Sequence, residues 1–184
     1  MEKLNEILES LKRALKDFNL KSIYQFMPDE PKKPPLKERY PTPLMETPAE
    51  KLYRVAYQNL GKDLNEDFNQ LGCAITIFNL LKLAGIPLEV QYPASTLSLN
   101  YALAHSPKFQ LVDEPSLGCI VMFATGTQPS TSRLTHGHVF IQGKTHLISN
   151  NSIKGVLDAN WTLSEALKFF SEYGGFPVSY YKPI

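Results

Sequence analysis

Cysteine is scarce: the chain has only 2, Cys73 and Cys119. They make no disulfide scaffold, and no Cys/His cluster has the spacing of a zinc site. His136 and His138 form a lone H-x-H pair, too few ligands for a metal. No metal site is expected. An excess of one charge is missing too. A formal net charge of +1 gives no global electrostatic argument for a nucleic-acid partner. No apolar run approaches the roughly 20 residues of a membrane span. The N-terminal residues are charged and amphipathic, with neither the uninterrupted apolar core nor the small-residue cleavage site of a signal peptide. The expectation is a chain made soluble in the cytoplasm, without a membrane span, needing another route out for any action outside the cell.

What is present is enough apolar content, 43% of 184 residues, for one domain of ordinary size plus an appendage. Residues 2–18 carry Leu4, Ile7, Leu8, Leu11, Leu15 and Phe18 at three- and four-residue steps, the pattern of an amphipathic helix. Its polar face mixes both signs, which favours docking on its own domain or on a second copy over a membrane surface. Prolines 28, 31, 34, 35, 41, 43 and 48 then fill a stretch in which neither helix nor sheet can continue. The expected division is a helical segment at 1–27, a Pro-rich linker at 28–48 and a compact domain at 49–184.

The compact domain opens near Thr47-Pro48-Ala49-Glu50, an N-cap, a first-turn proline and a capping-box acid. Leu52, Val55, Ala56 and Leu60 give the face of that helix. Asn69-Gln70-Leu71-Gly72 precedes a second helix whose stripe is Ala74, Ile77, Phe78, Leu81 and Ala84, ended by Gly85-Ile86-Pro87. Cys73 falls on its first turn. Unpaired N–H groups and the positive end of the helix dipole lie there, and both favour a thiolate. A short helix capped by Ser95 is expected over 96–105.

Residues 119–124, Cys-Ile-Val-Met-Phe-Ala, read as a central strand. Residues 138–142 and 146–150, around Gly143-Lys144-Thr145, read as a hairpin with a three-residue loop. Thr162-Leu163-Ser164-Glu165 caps a C-terminal helix ended by Gly174-Gly175, and residues 176–181 alternate as a last strand. The fold class is α+β: N-terminal helices, then a small antiparallel β-sheet with one late helix, and the thiol at the start of the central helix.

A cysteine hydrolase needs a thiolate, an imidazole and a group that orients the imidazole. Cys73 supplies the first. His138 opens a strand directly after Gly137, and the strand fixes its direction, which favours it over His136. In the expected hairpin 142 pairs with 146, 140 with 148 and 138 with 150, so Asn150 stands opposite His138 as the third member. A register one residue different would substitute Ser149 or Asn151. Trp161 and Tyr101 are candidates for a substrate groove, with core packing favoured for each.

The segments LGCA (71–74), GCIVMF (118–123), HGHVFI (136–141) and ISNNS (148–152), with Trp161 and GGFPVSYYKPI (174–184), resemble the papain-like cell-wall hydrolases. These are the CHAP and NlpC-type cysteine peptidases and amidases, especially small forms carried by bacteriophages and prophages. The likeness covers roughly residues 50–184. The family usually has Gly-Asp before the central strand, and here the pair is Gly118-Cys119, which leaves Cys119 as a possible second reactive thiol; Ile75 stands where related chains often carry an acid. The resemblance implies a papain-like fold with Cys73 as nucleophile, His138 as base and Asn150 as third residue, and no cofactor. It further implies hydrolysis of a peptidoglycan amide bond, by an amidase or an endopeptidase. The wall would be reached by holin release or as part of a virion, with the N-terminal helix available for virion or self-association. A virion module of the same fold without turnover, and a cysteine peptidase acting off the wall, are the alternatives.

Overall fold

The computed structural model describes residues 46–65, 72–125 and 136–184. All belong to the compact unit that runs from Pro35 to Ile184. The expected helix at 2–18, nearly all of the Pro-rich linker, Asn69 to Leu71 and the loop at 126–135 lie outside the described residues. Pro48, counted with the linker by its composition, is the first residue of a helix.

Helix α1, Pro48–Gln58, begins as its sequence dictates: the Thr47 side chain accepts the Glu50 amide and the Glu50 carboxylate accepts the Thr47 amide. Helix α2 is Cys73–Leu83. Ile86 N–H closes back on the Leu81 carbonyl at 2.9 Å, with Gly85 in the left-handed conformation, φ 67°. Helix α3 is Thr96–His105, capped by Ser95. The strands are β1 (Phe109–Val112), β2 (Ile120–Phe123), β3 (His138–Gln142), β4 (Leu147–Asn151), β5 (Val156–Trp161) and β6 (Val178–Pro183). Between β5 and β6, α4 (Leu163–Ala166) starts with a Thr162–Glu165 capping box and continues as a π-helical stretch, Leu167–Tyr173.

The six strands form one sheet in the order β1-β6-β2-β3-β4-β5, and every neighbouring pair is antiparallel. Alternation along the central strands divides the core in two. Ile120, Met122, Val139 and Ile141 pack with Leu52, Ala74, Ile77, Leu80 and Leu99, from α1, α2 and α3. Val121, Phe123 and Phe140 face the other way and pack with Leu147, Phe170 and Phe176. The chain is therefore α+β, with three helices on one face of the sheet and the C-terminal helix on the other. Ala74, Ile77 and Leu80 are wholly buried; full burial of a Leu or Ile side chain contributes roughly 1.5–3 kcal/mol. Among the described residues, no helix is long and apolar enough to cross a membrane.

The hairpin differs from its expected register. The observed pairs are Ile141 with Ile148 and Gln142 with Leu147, so the loop has four residues and His146 belongs to it. Gly143 N–H donates to the His146 carbonyl at 3.0 Å, which draws His146 into the turn. A slip of one residue exchanges the faces of a strand. Here it places Ile148 in the α2 core beside Ile141, and Leu147 in the opposite core. The expected pairings of 142 with 146, 140 with 148 and 138 with 150 are thereby corrected.

Gly118 shows how closely α1 is seated. Its φ is +78°, and a Cβ there would lie 1.8 Å from the Ala49 carbonyl oxygen. That oxygen is backbone and cannot rotate away. Gly118→Ala is expected to destabilise the domain by at least about 2 kcal/mol, read as a lower urea midpoint at unchanged slope; an unchanged midpoint would contradict this seating.

Candidate functional site

The first turn of α2 meets the start of β3. Gly72, the N-cap, has no side chain to offer its helix. The Cys73 thiol is buried, 8% exposed. Burial pushes its pKa up to about 11, against the opposing pull of the backbone amides of Val139, Ala74 and Cys73 itself. The thiolate expected from the helix start is therefore not the resting form: desolvation outweighs the amides.

Val139 explains how the sulfur reaches the strand. Its carbonyl accepts the Ser149 hydroxyl at 2.6 Å. The hydroxyl takes the place of a backbone rung, and the β3–β4 ladder stops at Ile148. The Val139 N–H, on the same peptide chain edge, faces the thiol instead. The thiol thus lies at the amide directly following His138, on the α2 face of the sheet, whereas the His138 side chain leaves β3 on the opposite face; the structure does not bring the two side chains together.

The His138 ring leaves β3 on the face of Phe140. It stacks on Phe170 at 5.4 Å and 13°, and meets Phe140 at 4.4 Å. Only part of its surface remains accessible. Apolar surroundings push its pKa down to about 4, so both thiol and imidazole are neutral at neutral pH. Among the described residues the imidazole has no hydrogen-bond partner. His136 stays exposed two residues earlier.

Asn150 is not across from His138. It lies on the α2 face and accepts a hydrogen bond from Asn65 Nδ2 at 3.0 Å, with both side chains buried. The corrected register is the reason. The two substitutes considered for it are committed elsewhere. Ser149 holds Val139, and Asn151 binds Asp158 and the Ile153 and Lys154 amides in the β4–β5 turn.

Asn65 escaped the sequence reading. It sits in a segment without helix or strand periodicity, eight positions before the thiol. Asn79 of α2 donates to the Leu64 carbonyl at 2.7 Å, and Leu157 of β5 donates to Lys62 at 2.9 Å, fixing that segment. Asn65 then lies against Gly72, where a Cβ would come 2.0 Å from its Nδ2. Only glycine allows this approach, so Gly72, Asn65 and Asn150 lock the peptide that precedes the thiol. Asn65 Oδ1 is buried without a partner among the described residues.

The remaining candidates separate cleanly. Cys119 is fully buried and its sulfur accepts the Ser116 amide at 3.3 Å. Both cysteines are free thiols. Trp161 packs on Phe140, Phe169 and Phe170, as core. Tyr101 does not: it is 67% exposed and stacks on His105 at 4.0 Å.

Two outcomes are expected. Between pH 6.5 and about 4 the unfolded chain takes up a proton at His138 that the folded chain does not. Stability should therefore fall as pH drops through that window, by roughly 2–3 kcal/mol. Urea melts at both ends of the window should show this loss in the wild type and lose most of it in His138→Phe; equal acid sensitivity would place it on other groups. Gly72→Ala should cost about 1–3 kcal/mol by displacing Asn65. The second change Asn65→Gly should recover part of that cost, and strict additivity of the two would refute the contact.

Comparison with family models, with curated proteins and with solved structures finds no match to this chain.

Proposed function

We propose that this chain is a papain-like cysteine hydrolase that cleaves an amide bond in peptidoglycan. The observation that supports it most is the thiol at the first turn of α2, set against the Val139 amide one peptide from His138. A nucleophile at a helix start and an imidazole at the mouth of an adjoining antiparallel strand are the two parts such a hydrolase needs.

Two neutral groups set the order of events. As the Cys73 sulfur attacks the amide carbon, its proton passes to His138, whose ring has first to turn from Phe170 across the end of β3 to the α2 face, and the carbonyl electrons move to oxygen. The Cys73 backbone N–H, which has no intrahelical partner and turns toward its own sulfur at rest, is one donor for that oxyanion. Collapse breaks the C–N bond, and His138 gives its proton to the leaving amine. A thioester remains. Water attacks it while His138 takes a proton, and the acid departs as the thiol is restored. Asn150 serves this chemistry through Asn65 and Gly72, by holding the start of α2.

The wall substrate, whether cut as an amidase or as an endopeptidase, rests on the family resemblance. So do a phage setting, holin release or virion carriage, and a docking role for the N-terminal segment. A second reading has its own support. A buried thiol raised to about 11 suits an inert structural residue, and with it a virion module that keeps the fold without turnover.

Purified peptidoglycan, incubated under reducing conditions with wild type and Cys73→Ala, separates the readings. Wild type is expected to release soluble fragments, with Cys73→Ala at least about a thousandfold slower; mass spectrometry of the new ends assigns the bond. Equal release by both would remove the chemistry from Cys73. No release by two folded proteins would favour the module or a substrate outside the wall.

A further inference from the structure

The last rung between β2 and β3 is Phe123 with His138. Beyond it the two strands are joined by side chains. Gly137 N–H donates to Thr125 Oγ1 at 2.7 Å. Thr125 N–H donates to Thr96 Oγ1 at 2.9 Å, and the Thr96 hydroxyl donates to Thr125 Oγ1 at 3.0 Å. Thr96 is the first residue of α3, yet its hydroxyl does not cap that helix, because Ser95 accepts the Ser98 amide. Thr96 is only 6% exposed, and its one oxygen meets two groups of Thr125. The backbones come together as closely as the hydroxyls do. A Cβ at Gly137 would lie 1.8 Å from the Phe123 carbonyl oxygen, so no side chain fits between the strands at this point.

We propose that Thr96 and Thr125 are positioning residues for the candidate site: their paired hydroxyls pin the Gly137 peptide to α3 and fix where His138 enters β3. The proposal rests on the hydrolase reading for its catalytic consequence. The relay itself is independent of that reading. It ties the helix layer, through two hydroxyls, to the peptide beside the imidazole. Packing alone would not supply the same constraint. Valine at either position keeps the shape of threonine and removes the oxygen, leaving the Thr125 or the Gly137 N–H without its partner. A displacement of about 1 Å in a catalytic group can cost on the order of a hundredfold in rate.

The test uses the full chain with Thr96→Val, Thr125→Val and Thr96→Ser. Three quantities are read: amide exchange at Gly137 and at residue 125, the imidazole NMR signals of His138, and the kcat and KM of fragment release. Exchange is expected to quicken about tenfold at Gly137 in Thr125→Val and at Thr125 in Thr96→Val, the effect of one lost hydrogen bond, and the His138 signals should move in both. The same variants should lose about tenfold or more in kcat with KM within about twofold, the mark of a misplaced catalytic group. Thr96→Ser, which keeps the oxygen, should behave as wild type in all three. Unchanged exchange and unchanged His138 signals in the valine variants would overturn the proposal. So would moved signals with an untouched kcat in an active enzyme. If the wild type releases nothing, the hydrolase reading fails, and positioning stands or falls on the His138 signals alone. Should Thr96→Val fail to fold, Thr125→Val, at a half-buried position, carries the same test.

Discussion

A helix with almost no polar face has to be covered on nearly every side, and α2 is such a helix. Seven of its eleven residues are buried, Cys73 among them. The sheet covers one flank through Val139, Ile141 and Ile148, and α1 and α3 cover others. The coverage extends to the first turn, where a surface helix would leave its N–H groups in water. This burial decides the chemistry of the thiol. The amides at the helix start favour a thiolate, but removing water costs the charged form more, and the thiol stays protonated. The same balance keeps His138 neutral between Phe140 and Phe170.

The two faces of the sheet divide the work around that helix. On the α2 face, polar groups are few and each is placed: Asn65 against Gly72, Asn150 against Asn65, the Ser149 hydroxyl on Val139. On the opposite face an aromatic cluster of Phe123, Phe140, Trp161, Phe169 and Phe170 surrounds the imidazole side of β3. The candidate thiol lies on the first face and the imidazole on the second, at the same end of β3. The parts of the site are supplied by α2, β3, β4 and the segment before α2, so it depends on the whole domain being assembled.

Features carried by local chemistry were legible in the sequence. The Thr47 and Thr162 capping boxes, the Ser95 cap, the apolar run of β2 and the position of Cys73 at a helix start need only neighbouring residues. Features set by tertiary pairing were not. The hairpin register turned on whether His146 joined the strand or the loop, a choice made by where Leu147 and Ile148 could be buried. Strand β5 was missed because a bulge interrupts its alternation: Leu147 pairs with Trp161 but Ser149 with Asp158. That extra residue sends Leu157 and Trp161 to opposite faces. Asn150 was singled out as a partner for His138, and its observed partner, Asn65, is 85 residues away along the chain. No local pattern marks such a contact.

The central claim is that the thiol and the imidazole, on opposite faces of the sheet at one end of β3, are both neutral at rest. The most direct measurement is the NMR shift of the Cys73 β-carbon followed against pH in the resting protein. The account predicts a flat response through neutral pH and a single transition near 11. A transition below neutrality that disappears in His138→Ala would contradict it, because it would reveal a resting thiolate–imidazolium pair.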